Sequence, residues 1–252
     1  SITRSMKKSM VNIELHRTVC IKLLREIYSD PELRTILGFK GGTAALLFYG
    51  LPRFSVDLDF DLLDLNKKEL VFKKLKTLLQ QYGTLAEEIE KKYTLFFVLQ
   101  YQKGERNLKV EVSKRSDGQS AYGPKNYLGI SMLVMKEPEM AAGKLSALLT
   151  RNTFASRDLY DLWYFLKNNW HIDESVVRSK TGLDLTHAYA KAQKKVAAIK
   201  KIELLSGLGD LLDASQRNWV REKLIEELLF LLQLYENTHL KKFGIKKEST
   251  KK

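Results

Sequence analysis

Two carboxylates one residue apart, Asp57 and Asp59, follow a Gly41-Gly42-Thr43 run in the segment FKGGTAALLFYGLPRFSVDLDF. Two glycines and a hydroxyl suit a tight turn around a phosphate. Carboxylates at i and i+2 of a strand project to the same side, because strand side chains alternate. A pair so placed can hold a divalent metal, and Mg²⁺ takes a few carboxylates together with phosphate oxygens and water. The combination is what nucleotidyl transfer needs. A hydroxyl attacks the α-phosphate of a nucleoside triphosphate, pyrophosphate leaves, and metal ions clamp the attacking and leaving oxygens.

A third carboxylate should come from a neighbouring strand. Glu111 is the one acid lodged in the otherwise apolar alternation LKVEVS, with a solvent-facing edge residue as the competing reading. The phosphates need donors. Backbone N–H groups of Gly42 and Thr43 at a helix N-terminus can cradle them, and the Thr43 hydroxyl adds a donor. Arg53 and Ser55, just ahead of the acids, can reach the phosphates or fix the strand.

The elements that must position these groups can be read from hydrophobic period and turn residues. A helix is predicted over 9–28, a short buried strand over Ile36–Phe39, and a helix from Thr43 that ends at Gly50 with Pro52 just beyond. Ser55–Phe60 reads as a strand, and Asn66 as the cap of an amphipathic helix that Gly83 terminates. LAEEIEK, YTLFFVLQY and NLKVEVSK read as an antiparallel ribbon with a turn at GERN. RSDGQSAYGPKN reads as a loop, and LGISMLVM as one more strand. From Glu137 the pattern is helical throughout, over roughly 137–150, 156–168, 173–181, 184–200 and 215–236. The expected organisation is an α/β domain over 1–136 and a helical domain over 137–252, an α+β chain whose mixed sheet is flanked by helices.

Composition narrows the partners. The chain has 252 residues, 44% hydrophobic and 29% charged, the profile of a globular protein with a proper core. Its net charge of +13 favours a polyanionic partner, nucleic acid first. No apolar run approaches a membrane span, and the basic N-terminal segment leads into no apolar region of the signal-peptide kind, so a cytoplasmic protein without a membrane partner is expected. The single cysteine, Cys20, lies on an apolar helical face and reads as a buried, inert thiol. The four histidines lack metal-ligand spacing.

The Gly-Gly-Thr run followed by Arg-x-Ser-x-Asp-x-Asp resembles the signature of the DNA polymerase β-like nucleotidyltransferase superfamily. Within it, the sequence looks closest to the AbiEii/AbiGii toxin group, which includes the MenT-type toxins. A second segment, GKLSALLTRNTFASRDLYDLWYFL, is similar to that group's helical signature, with a slightly longer loop between Arg151 and Arg157. The resemblance implies a nucleotidyltransferase sheet and a helical half that contributes to the active site. It further implies a toxin of a toxin–antitoxin system that moves a nucleotide from an NTP, with Mg²⁺ or Mn²⁺, onto an acceptor such as the 3′ end of tRNA, so stopping translation and growth. Asp57, Asp59 and Glu111 would hold the metal; Gly42, Thr43, Arg53, Ser55 and Lys144 would serve the triphosphate; Asp161 would orient or deprotonate the acceptor hydroxyl. A cognate antitoxin, or regulation at its operator, is implied as well. Transfer onto a protein or small molecule, and an idle RNA- or protein-binding module, are the alternatives. For Arg151, Arg157 and Asp158, a structural salt-bridge cluster stands beside any functional reading.

Overall fold

Residues 2–115 and 121–243 are described in a computed structural model, and the chain divides into two compact units, 1–136 and 137–252. In the first unit, α1 (Ile2–Ser29) buries Val19, Cys20, Leu23, Leu24 and Ile27, one apolar stripe at helical spacing. Burial pushes the Cys20 thiol up to about 12, as its apolar setting predicts. Asp30 Oδ1 then accepts the N–H groups of Glu32 and Leu33 and starts the short α2 (Leu33–Ile36). This helix runs straight into β1 (Leu37–Lys40), and β1 runs straight into α3 (Gly41–Tyr49). Gly50, at φ 69°, ends α3 in the left-handed conformation that glycine adopts without strain.

The remaining elements of the unit are β2 (Asp57–Leu62), α4 (Lys68–Gln80), β3 (Thr84–Glu90), β4 (Thr94–Gln100), β5 (Leu108–Ser113), β6 (Tyr122–Tyr127) and β7 (Ile130–Met135). They form a seven-stranded mixed sheet in the order β3-β4-β5-β2-β1-β7-β6. β2 is central, antiparallel to β1 and parallel to β5. Its even-numbered residues Leu58 and Phe60 share a fully buried face with Val110, Val112, Leu95 and Phe97. Helices cover that face: the Tyr28 ring lies 6.5 Å from Phe60, and Phe72 lies 5.0 Å from Phe97. Asp57, Asp59 and Asp61 therefore point to the opposite face, together with their register partners Lys109, Glu111 and Ser113.

Four readings of the sequence change here. α3 starts at Gly41, with Lys40 as its N-cap, rather than at Thr43. β2 begins at Asp57 rather than Ser55, because residues 53–55 turn back beneath α3. The Asn66 side chain is not the cap; Asp64 accepts the Asn66 N–H and caps a 3₁₀ turn ahead of α4. Residues 122–126, read as loop, belong to the edge strand β6 (Tyr122–Tyr127), while 116–120 lie outside the described residues. Pro124 sits in that strand, and an edge is where a residue without an N–H is tolerated.

The second unit contains α5 (Glu137–Thr150), α6 (Ser156–Lys167), α7 (Glu174–Thr181), α8 (Leu185–Ala197) and α9 (Ala214–Phe243). Asp173 and Asp184 cap α7 and α8 by accepting the N–H groups of Val176 and His187. α6 is buried nearly all round. Trp163 meets Trp219 of α9 at 4.2 Å between ring centroids, and Phe165 stacks on Trp170 at 4.1 Å. Among the described residues no helix is long and apolar enough to cross a membrane.

Candidate active site

The Gly-Gly-Thr run begins α3 where β1 ends, so the first-turn N–H groups lack intrahelical partners. No side chain caps them from Lys40. Gly41 has φ 79°, and a Cβ there would lie 2.2 Å from Asp59 Oδ2. The Asp59 carboxylate thus rests directly against the glycine backbone. A Cβ on Gly42 would lie 2.7 Å from both Arg53 Nη2 and Ser55 Oγ. Arg53 is buried and donates from Nη1 to the Phe54 carbonyl at 2.8 Å. The Arg-x-Ser lead-in and the glycine turn therefore pack on one another, and each glycine is required by a close approach.

Thr43 plays a part that spacing did not show. Its buried hydroxyl donates to the Asp57 carbonyl. The proton expected to meet a phosphate instead ties the first turn of α3 to the start of β2, which leaves the Thr43 backbone N–H as the donor for a ligand. Asp57 and Asp59 share the open face of β2, and Asp59 pairs with Glu111 across the parallel β2–β5 register.

Among the described residues, no three His, Cys, Asp or Glu side chains are grouped as a metal cage. Two strand carboxylates with a third one strand away still fit Mg²⁺, whose remaining positions a triphosphate and water would fill.

Four further residues brace this region, Asp61, Lys40, Tyr122 and His16, and the sequence reading gave none of them this part. Asp61, 0% exposed, is the third acid on the same face of β2. It pairs with Lys40 and accepts the Tyr122 hydroxyl at 2.6 Å. The Tyr122 ring lies over Gly38, where a Cβ would come within 2.4 Å of it. Lys40 precedes the glycines, so this ion pair fixes the end of β1 from which α3 starts. The signal was present: DLDFD carries a third acid at the same parity. His16 of α1 is buried and bridges Tyr101 Oη and the Val56 carbonyl, each at 2.8 Å. Burial lowers its pKa, with the Arg106 charge assisting and the Val56 hydrogen bond opposing.

In the second unit, the Lys144 ammonium of α5 lies 2.9 Å from Asp158 Oδ1 and 2.7 Å from Asp161 Oδ2 of α6. Arg151 Nη1 reaches Asp158 Oδ2 at 3.0 Å. Asp158 and Asp161, three apart on a buried helix, hold the lysine between them. Asp161 is 0% exposed and Lys144 18%. The geometry is that of a carboxylate placing an ammonium, and Arg151 and Asp158 form the ion pair that the structural reading anticipated.

A mixed sheet with Gly-Gly-Thr opening a helix, and paired acids on its central strand, defines a nucleotidyltransferase-type protein. The family model described as "Nucleotidyl transferase AbiEii toxin, Type IV TA system" matches residues 22–238. The chain belongs to this AbiEii nucleotidyltransferase toxin family. Two solved structures are similar in fold. JHP933 of Helicobacter pylori has TM-score 0.60 and 21% identity, covering 92% of this chain and 95% of its own. A candidate nucleotidyltransferase of H. pylori has TM-score 0.60 and 24% identity, covering 90% and 96%. No curated protein matches the sequence.

Proposed function

We propose that the protein transfers a nucleotide from an NTP to the 3′ end of tRNA, and that this transfer is the toxic activity. The observation that carries the reading is the seat of Asp59. Its carboxylate rests on the Gly41 backbone at the mouth of α3, beside Asp57 and across from Glu111. First-turn helix N–H groups, which have no intrahelical partners, and carboxylates for a divalent metal thus lie on one side of one strand. The net charge of +13 supports an RNA acceptor over a small molecule.

In this reading the N–H groups of Gly42 and Thr43 receive the triphosphate, and Arg53 and Ser55 hold the turn that presents them. Asp57, Asp59 and Glu111 would hold Mg²⁺ or Mn²⁺, which when bound supplies positive charge at the α-phosphate. The acceptor 3′-hydroxyl gives its proton to solvent water as its oxygen attacks that phosphorus, the bond from phosphorus to the oxygen bridging to the β-phosphate breaks, and pyrophosphate leaves. Within the helical unit, Asp161 is assigned to holding the Lys144 ammonium in position.

The test is incubation with labelled NTPs, Mg²⁺ and total tRNA. Label at the RNA 3′ end is expected. Label in protein alone sinks the tRNA reading, and label nowhere sinks transfer altogether. Asp59→Ala should abolish both labelling and growth arrest; surviving toxicity overturns the catalytic account.

A further inference from the structure

We infer that the open face of β2–β5–β4–β3 is the seat of the acceptor, and that it takes a single-stranded RNA 3′ end. The inference rests on the proposed transfer to RNA and names the surface that presents the substrate. Two rungs of register partners cross the sheet from the paired acids. One runs Asp57, Lys109, Val98, Glu87; the other runs Asp59, Glu111, Phe96, Ile89. All eight side chains point away from the helix-covered core, since their neighbours Leu58, Val110 and Phe97 form its buried face. With strands about 4.8 Å apart, the rungs carry a path of about 14 Å from the acids to the sheet edge.

The path combines the groups that single-stranded nucleic acid uses: cations at the height of the backbone and apolar surface for bases. Lys109 is exposed and has no ion pair among the described residues. It stands beside Asp57, one strand from the acids, where the last phosphodiester of an acceptor would lie while its 3′-hydroxyl faces the α-phosphate. Lys91 holds its ammonium 3.7 Å from the Phe96 ring centroid, with only a 3.9 Å contact to Glu87. Phe96 and Val98 are half-buried and Ile89 is 43% exposed, and together they form an apolar strip. Its continuity with the acid pair selects the acceptor as occupant, and the unpaired Lys109 selects an anionic one. An acidic protein segment is the competing occupant.

The experiment uses the full chain and a short 5′-fluorescein single-stranded oligoribonucleotide with a free 3′-hydroxyl, read by anisotropy over a salt series. Lys109→Gln should weaken binding several-fold and reduce the slope of log K against log salt by about 0.7, one phosphate contact on a single strand. Lys109→Arg should restore both. Phe96→Ala should weaken binding about 5-fold or more with the salt slope unchanged. Wild-type affinity and slope in both variants overturn the inference. So does a loss of NTP affinity in Lys109→Gln equal to its loss of RNA affinity, which assigns the lysine to the triphosphate. If wild type transfers nucleotide to RNA and the variants do so equally well, the platform falls and the transferase reading stands. If wild type binds RNA by these residues but transfers nothing to it, the platform stands and the transfer reading falls.

Discussion

A single methyl group added at Gly42 would meet Arg53 Nη2 and Ser55 Oγ at 2.7 Å, and Arg53 is buried with its own carbonyl partner. Making room for the methyl group shifts both side chains, which pack against the turn that presents the N–H groups. Gly42→Ala should therefore lower NTP transfer on the order of 100-fold, the usual cost of misplacing reactants by about 1 Å. Circular dichroism should show the helices retained. His16 carries a different prediction. Its folded pKa lies below the ordinary 6.5, chiefly because burial disfavours the charged ring. Between those two values the unfolded chain binds more protons, so stability is full above about 6.5 and falls as pH drops through the folded value. Urea denaturation at pH 7.5, 6 and 5 should show the loss, and His16→Gln should flatten it. Asp30, Asp173, Asp184 and Glu90, whose pKa values are also lowered, act only near and below their ordinary 3.8 to 4.5. At this scale residue types and spacing put Asp57 and Asp59 on one face of a strand, where the structure has them. They could not expose what Thr43 donates to or what His16 bridges, because both bonds join segments that only tertiary packing brings together.

Among elements, those with a strong local signal were legible. The helices of the second unit were readable because α5 to α8 alternate clear apolar faces with caps and breaks. The ribbon β3–β4–β5 was readable because aromatic and β-branched residues alternate between turn residues. β6 was not, because Gly123 and Pro124 are turn residues locally; the strand exists through its pairing with β7, a contact of low local propensity. The start of β2 was misplaced for a related reason. Ser55 and Val56 have strand-like types, but the lead-in is bent by Arg53 and Ser55 beneath Gly42. The caps give this scale its prediction. Asp184 accepts the His187 N–H at 2.9 Å and fixes the start of α8. Asp184→Ala should cost about 1 kcal/mol by urea denaturation at pH 7. Asp184→Asn should recover much of it, since an amide oxygen caps nearly as well.

For the whole molecule, charge was the most direct message of the sequence. A net charge of +13 is a statement about partners, and it separates the acceptors that the site alone would accept. A small-molecule or protein acceptor docks through few phosphate contacts or none. An RNA acceptor docks through several, each releasing a counterion. With four contacts on a single strand, the slope of log affinity against log salt is about −2.8, so raising monovalent salt fourfold weakens acceptor binding about 50-fold. In the proposed site the NTP would be held by the N–H groups at the mouth of α3 and through a metal ion on the acids of β2, and its affinity should fall far less. Steady-state transfer measured at 50 and 200 mM salt should therefore show the acceptor KM rising steeply and the NTP KM nearly constant. Equal salt sensitivity for the two substrates, or none for the acceptor, would mean that the basic surface serves something other than the molecule receiving the nucleotide.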